Sequence, residues 1–511
     1  MYSVINTATI YGIDSSLVSV EADISEGMPC FELVGNLSSE VKEASHRVRS
    51  ALRNAGYALP IKRITVNMSP INIKKTGSGF DLPIALAILC AIGIIENEKL
   101  DSIVVIGELS LDGKIQPVNG ILPMALETKR QGKNTIIVPV NNVSEASLVP
   151  KLKVIGAEKL SDVISYLTSG HIPDIYETAS DGLNSPSEVV FDFSMINGQP
   201  LMRRACEIAV SGMHNLLMVG PPGAGKTMIA KCIPSILPPM TLDEQIELSK
   251  IYSVCGKFDE RKGLLKNRPF RSPHHTISEQ GLAGGGQNPK PGEISLAHSG
   301  VLFLDELTEF KKPTLEILRQ PMEDKKVTIS RANGSFNFPA NFVLCAAMNP
   351  CNCGYYPNLN KCHCSAASIQ RYIGKISQPL LDRIDICVEA PQLTYNELMY
   401  AQHNEASKTI RERVVKCHKK QKERYEDYGF IHNSQIPSNL IDIFCPLDEA
   451  EQSFMHDMYD AYELTARTYH KVLRVARTIA DMDDSEDITL THLQEAIYYK
   501  GLDKKYWEMS L

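Results

Sequence analysis

The residues best equipped for chemistry stand together at Gly220-Pro221-Pro222-Gly223-Ala224-Gly225-Lys226-Thr227, which fits G-x-x-x-x-G-K-[ST]. Glycines here let backbone N–H groups wrap a chain of phosphates, and a helix starting at the lysine turns the positive end of its dipole toward them. Lys226 would neutralise the β- and γ-phosphates and Thr227 would ligate Mg²⁺. A Gly-rich turn can match this pattern by chance, so the flanks decide. Residues 215–219 (NLLMV) read as a strand leading in, and residues 228–233 (MIAKCI) as a helix leading out.

Residues 300–306 (GVLFLDE) form an apolar strand ending in two acids. A buried strand would deliver Asp305 beside the metal, to hold Mg²⁺ through water, and Glu306 would orient and polarise an attacking water. Alone, the pair could be a solvated acidic turn; downstream of a phosphate loop the catalytic reading is stronger. A third apolar strand, 342–350, runs out at Asn349, whose amide could reach the γ-phosphate and the water. Asn-Pro is also an ordinary turn signal. In residues 380–386 (LLDRIDI), Arg383 stands between two aspartates. It could offset transition-state charge on a neighbouring copy's γ-phosphate, or make a local surface salt bridge.

Cys351-x-Cys353 and Cys362-x-Cys364 follow at once, with a turn-rich stretch, 354–361, between them. Four thiolates in two close pairs can surround a tetrahedral Zn²⁺. The C-x-C spacing is tighter than the usual one, and four free thiols on a loop are the alternative. No ligand position is left open, so the expected metal role is structural.

These residues need a scaffold of about two to four domains, since 511 residues exceed one ordinary core. Residues 1–168 alternate strand-like runs (17–24, 62–69, SIVVIGEL, NTIIVPV) with an amphipathic helix over 38–56, closed by Gly56, and a helix near 123–131: a small α+β domain. Residues 169–189, rich in Ser, Gly, Pro and acids, read as a linker. Residues 190–391 hold the motifs in an α/β core. Residues 392–511 read as helical, with apolar positions at helical spacing over 464–482 and Thr489 or Thr491 offering a cap to the next helix. The longest apolar run, Leu82 to Ile95, is too short for a membrane span, and the first residues lack the pattern of a signal peptide. Thirteen cysteines without an export signal imply a reducing, cytoplasmic compartment. The net charge of −7 excludes a global basic footprint, so any nucleic-acid contact must be a local patch.

Together, GPPGAGKT, PFRSPHHT (269–276), GEISLAHSGVLFLDEL (292–307), LRQPMEDKKVTISRA (318–332), AAMNPCNCG (346–354) and LLDRID resemble the YifB/ComM family, in the magnesium-chelatase-like branch of AAA+ ATPases, over nearly the whole chain. The resemblance implies a P-loop core with a parallel sheet and a helical lid, ATP hydrolysis with Mg²⁺, and a homo-hexameric ring. It assigns sensor 1 to Asn349, the arginine finger to Arg383 and sensor 2 to Arg467. Arg474 and Arg477 share that helix, and sequence alone does not say which of the three faces ATP. The stretches KKTGSGFDLPIALAIL and VVIGELSLDGKIQPVNGILPMALETKRQG resemble the Lon protease fold, a ribosomal-S5-like α+β unit. The catalytic pair does not carry over. Its serine position falls at or near Phe80 and its lysine position on Leu122, with Ser78 and Lys114 nearby but displaced. A serine without a positioned base is a poor nucleophile, so a non-proteolytic domain is expected.

In related ring helicases a hairpin between the acidic strand end and sensor 1 points into the pore. Here residues 326–338 alternate and turn at Asn333-Gly334, and Lys325, Lys326 and Arg331 would meet phosphates. Arg271, His274 and His275 form a second polar cluster, expected to hydrogen-bond at a subunit or pore surface rather than to hold metal. The basic run 407–425 is equally well explained as a solvated helix face. The expectation is an ATP-driven DNA translocase, a branch-migration helicase acting in recombination or transformation on single-stranded or branched DNA without sequence preference. The alternative is a chelatase-type motor that remodels a partner protein. The N-terminal domain, which chelatase motor subunits lack, favours the first, and a Lon-like protease is disfavoured by Phe80 and Leu122.

Overall fold

The computed structural model describes residues 1–96, 100–170, 191–259, 263–331, 334–392, 395 and 404–507, with 502–505 as backbone. From residue 171 on, the linker read at 169–189 lies outside the described residues.

Seven strands form the first sheet, in the spatial order Cys30–Val34, Arg63–Ser69, Asp14–Ser25, Tyr2–Tyr11, Ile103–Val105, Thr135–Pro139, Lys153–Ala157. Side chains alternate between its faces. Val105, Ile137 and Ile155 share a core with the helices Ala44–Asn54, Asp81–Ala91 and Leu160–Ser169, while Val104, Ile136 and Val138 pack with the helix Ile121–Arg130. The long apolar run becomes the helix Asp81–Ala91, buried at every residue, which is why it carries no polar stripe. The helix expected over 38–56 is broken into Ser39–Lys42 and Ala44–Asn54. Glu43 between them (φ −71°, ψ −16°) tightens toward 3₁₀ geometry.

The second core has five parallel strands in the order Phe270–Arg271, Val301–Leu304, Val343–Met348, Leu216–Val219, Ile386–Glu389. Numbered along the chain, the order across the sheet is 2-3-4-1-5. The strand that ends near Asn349 therefore lies between the one feeding residues 220–227 and the one feeding Asp305. Three loops of chemical interest leave the same edge of the sheet, the edge at which open α/β sheets bind ligands. The three central strands are apolar throughout because both faces are covered. Leu216, Met218, Phe303 and Cys345 share a core with the helices Pro200–Gly212 and Lys226–Ile236; Leu217, Val219, Leu304 and Ala346 share another with Ile251, Leu315 and Ile369.

The C-terminal helices Ser407–Arg424, Glu449–Ala461, Ala466–Met482 and Leu490–Trp507 join the first of these cores through Val414, Met455, Val472, Ile479 and Leu493. Lid and base are thus held by one continuous apolar cluster. Thr465 caps Ala466–Met482 by accepting from the Thr468 N–H. The last helix begins at Leu490, so Thr489, not Thr491, precedes its first turn. The N-terminal domain packs on the base through Ile121–Arg130 and Leu242–Val254, where Gly120 N–H donates to the Ser253 carbonyl at 3.1 Å. Among the described residues no helix is long and apolar enough to cross a membrane.

Candidate nucleotide site and its surroundings

The helix Lys226–Ile236 starts where Gly225 takes φ +84°, a left-handed conformation that glycine adopts at little cost. Loop, helix start and strand ends enclose a cavity of about 370 Å³ whose lining includes Gly223, Lys226, Thr227, Asp305, Glu306 and Asn349. Lys226 Nζ donates to the carbonyls of Gly220 (2.7 Å) and Pro221 (2.9 Å) and lies 3.3 Å from Asn349 Oδ1. Burial lowers the Lys226 pKa to about 8, and Asp305 offsets part of that effect. A buried ammonium whose hydrogen-bond partners are neutral oxygens lacks a direct anionic partner, and a polyphosphate supplies one. Thr227 Oγ1 donates to Asp305 Oδ2 at 2.7 Å, the hydroxyl–carboxylate pair that suits Mg²⁺ beside a phosphate loop. The residues present therefore fit a magnesium–nucleotide. When bound, the metal would neutralise phosphate charge; the chain's own groups grip, orient and accept a proton.

Glu306 is the candidate proton acceptor. It holds φ +51°, a strained conformation for a residue with a side chain, and its carboxylate is exposed to the cavity. Its N–H donates to Asp305 Oδ1 at 3.0 Å, which locks the two acids in relative position. His275 Nδ1 lies 3.6 Å from Glu306 Oε2, within charge-pairing range when the imidazole is protonated. His275 follows the strand Phe270–Arg271, which pairs with Val301–Leu304. The sequence places this histidine at a subunit or pore surface, and only the strand pairing brings it to the acids. Its ring lies 4.0 Å from that of His274, and Arg271 is taken by Glu293 in a two-point ion pair (2.6 and 2.7 Å). Gln199 is a site residue that sequence reasoning misses altogether. Buried at φ +56°, it donates to the carbonyls of Ala224 (3.2 Å) and Pro391 (2.6 Å), tying the phosphate loop to the strand beside it. A lone glutamine ahead of Pro200 carries no spacing signal that could reveal it.

The arginines expected to complete the site do not line this cavity. Arg383 bridges neither flanking aspartate. It donates to Glu323 Oε2 at 2.9 Å and to the carbonyls of Arg319 (3.1 Å) and Pro379 (2.6 Å). Arg467 pairs with the other oxygen of the same Glu323 carboxylate. Asp385 is partly buried beside Lys471 at 3.1 Å; its loss of solvent would raise its pKa, but Lys471, His214 and the Asn215 N–H hold it well below the usual carboxylate range. Arg477 is buried and donates to the carbonyls of Ser485 and Glu486, and Arg474 is half-buried. None of the three helix arginines lines the cavity of its own chain.

In the N-terminal domain Phe80 and Leu122 are buried, Ser78 Oγ donates to Glu108, and Lys114 pairs with Asp112 at 3.7 Å. Serine and lysine each serve a separate acid rather than each other. In the hairpin, Lys326–Arg331 pairs with Gly334–Pro339. Gly334 stands opposite Arg331, so it heads the second strand instead of forming the turn; Asn333 lies outside the described residues. Lys326 and Arg331 are exposed. Lys325 departs from the expectation: left-handed at φ +54° after the helix Arg319–Asp324, it is drawn inward, where burial lowers its pKa and Asp385 partly restores it. It does not share the exposed face of the other two cations. The hairpin leans on the N-terminal domain, with Phe336 4.7 Å from the Tyr11 ring and Tyr11 Oη 3.4 Å from the Ser335 carbonyl.

The sulfurs of Cys351, Cys353, Cys362 and Cys364 all lie within 4.8 Å of one another, with 3.3, 3.7 and 3.5 Å among the first three. A tetrahedron with Zn–S near 2.3 Å has edges of about 3.8 Å, so the set fits a metal ion. Burial opposes ionisation of Cys353, yet the Tyr355 N–H and the neighbouring thiols hold it down to about 6, while burial pushes Cys362 up to about 12.

A parallel 2-3-4-1-5 sheet, with a phosphate loop after its first strand and two acids after its third, defines a P-loop protein of AAA+ type, here behind a small α+β domain. Comparison with known proteins narrows this. Residues 192–398 match the family described as magnesium chelatase, subunit ChlI; residues 20–142 match subunit ChlI of Mg-chelatase; and residues 404–500 match the ChlI C-terminal region. The chain is 40% identical over 502 residues to competence protein ComM of Haemophilus influenzae, covering 98% of this chain and 97% of that one. It is 38% identical over 506 residues to YifB of Escherichia coli, again covering 98% and 97%. Over 149 residues it is 30% identical to Lon protease 2 of Bacillus subtilis, covering 27% and 26%. The chain belongs to the YifB/ComM family of magnesium-chelatase-like AAA+ proteins.

Proposed function

We propose that this chain is an ATP-hydrolysing ring motor, a homo-hexamer that translocates DNA as a branch-migration helicase in recombination or natural transformation. The observation that carries the reading is the division of the site. Lys226, Thr227, Asp305, Glu306 and Asn349 share one cavity, while Arg383 and Arg467 share Glu323 outside it. An arginine held away from its own cavity is available to a neighbour's, and a closed ring supplies one to every cavity. Asn349 acts as sensor 1 and Arg383 as the finger, and Arg467 serves as sensor 2 for the adjacent copy. Lys326 and Arg331, exposed on the hairpin, contribute phosphate contacts that are independent of sequence and weakened by salt. The name of the Haemophilus relative, a competence protein, favours DNA as the cargo. Mg²⁺ serves the nucleotide, a structural Zn²⁺ sits on the four cysteines, the N-terminal domain is non-proteolytic, and the work is done in the cytoplasm.

The chelatase family descriptions, one of which matches the N-terminal domain at residues 20–142, favour a second reading, a motor that remodels a partner protein. Turnover of ATP measured with and without single-stranded and branched DNA separates the two. The translocase predicts stimulation by DNA that Lys226→Ala and Glu306→Gln each abolish. Turnover indifferent to every DNA at low salt transfers the assignment to protein remodelling.

A further inference from the structure

The cavity and the four thiols meet at a direct contact. Only Pro350 separates Asn349 from Cys351. Just past Cys353, Gly354 (φ +84°) turns the chain back, its N–H donating to the Cys351 carbonyl at 3.0 Å. There it lies against the phosphate loop: a Cβ built on Gly354 would stand 2.6 Å from Pro222 Cδ. From Cys351 to the start of the helix Ala366–Ile373 the chain has neither helix nor strand and is held by short turns, such as Cys362 N–H to the Asn358 carbonyl at 2.8 Å. On its far side the loop sets Tyr356 edge-on to Tyr506 of the last helix, ring centroids 6.3 Å apart. The Tyr506 hydroxyl donates to Glu389, which pairs with Val219 just before the phosphate loop. A turn-only segment keeps one shape when something cross-links it, and four converging sulfurs are such a cross-link once a metal joins them.

We propose that the metal site of Cys351, Cys353, Cys362 and Cys364 is a brace for the phosphate loop, holding Asn349 and Pro222 in place for the nucleotide and linking the cavity to the helix Leu490–Trp507. The proposal rests on reading the thiols as a zinc site and the cavity as a nucleotide site. Without the ion the 351–365 loop gains conformational freedom, and part of the nucleotide's binding energy is spent on ordering it again.

The test uses the full chain, its zinc content by elemental analysis, and the dissociation constant of a fluorescent Mg-ADP analogue. The wild type is expected to carry about one zinc per chain. Cys353→Ser/Cys364→Ser is expected to lose the zinc and to bind nucleotide about tenfold to 100-fold more weakly, the scale of a displaced positioning group. Gly354→Ala keeps all four ligands but pushes on Pro222; it is expected to retain zinc and still lose affinity. Should the double variant fail to fold, the affinity of folded wild type before and after a chelator strips its zinc takes its place. Zinc-free wild type overturns the proposal through the thiol reading, and zinc-loaded wild type that binds no nucleotide overturns it through the cavity reading. Unchanged affinity in zinc-loaded Gly354→Ala and in the zinc-free variant overturns the brace while leaving both readings standing.

Discussion

The phosphate cavity and the cluster at Glu323 use the same kinds of group, charged side chains at strand and helix ends, yet they close in opposite ways. Around Lys226 the side chains converge on a space of about 370 Å³, and the lysine has only neutral oxygens as hydrogen-bond partners. Around Glu323 one carboxylate satisfies both Arg383 and Arg467. In the first, the lysine lacks a direct anionic hydrogen-bond partner and the cavity is open to a ligand. The second is internally paired and holds two guanidiniums on one carboxylate without a ligand. Under the ring reading, these are the two halves of one site.

The largest expected effect separates the halves. Lys226→Ala and Arg383→Ala should each lower turnover by about 1000-fold or more. A mixture of the two inactive proteins should recover part of it, because one contributes an intact cavity and the other an intact arginine. A mixture as inactive as its components breaks the comparison and returns Arg383 to a structural role. The next effect sharpens the cavity half. Burial has lowered Lys226 to about 8, and a bound polyphosphate raises it, so binding takes up a proton wherever the empty pocket has lost one. Nucleotide affinity should be flat below pH 8 and weaken as pH rises through 8, by up to about tenfold per pH unit. Titrations at pH 7, 8 and 9 check this, and flat affinity across that range would mean that Lys226 stays charged when empty.

A smaller effect probes the other half. Glu323→Gln removes the shared charge and should lower turnover about threefold to tenfold while leaving nucleotide affinity unchanged, since its arginines lie outside the cavity. A loss of affinity instead would place Glu323 in the nucleotide's own surroundings. The smallest concerns the hairpin. Tyr11→Ala deletes a ring contact worth about 1 kcal/mol and should speed hydrogen exchange over the strands Lys326–Arg331 and Gly334–Pro339, with DNA-free turnover unaltered.

Much of the cavity is legible in the sequence. Residues 220–227 carry their own geometry, because glycines, lysine and hydroxyl act on phosphates through adjacent backbone. The apolar strands before Gly220, Asp305 and Asn349 stand out because both of their faces are covered. The four cysteines are legible as two close pairs. His275, Gln199 and the true partner of Arg383 are not. Each depends on a residue that no short-range pattern connects to it: Glu306 beside His275, Ala224 beside Gln199, and Glu323 60 residues before Arg383.

Local chemistry thus determined by itself that the chain builds a phosphate loop, two acids on a strand end, a thiol cluster and a helical lid, since spacing and hydrophobic period act over a few residues. The tertiary structure alone decided which of these meet. The 2-3-4-1-5 strand order put Asn349 between Lys226 and Asp305, and the packing of the lid helix on the base sent Arg467 to Glu323, 144 residues away in sequence, rather than to its own cavity. Ion pairs and strand neighbours are selected by distance in space, and that distance exists only once the sheet and its two cores have closed.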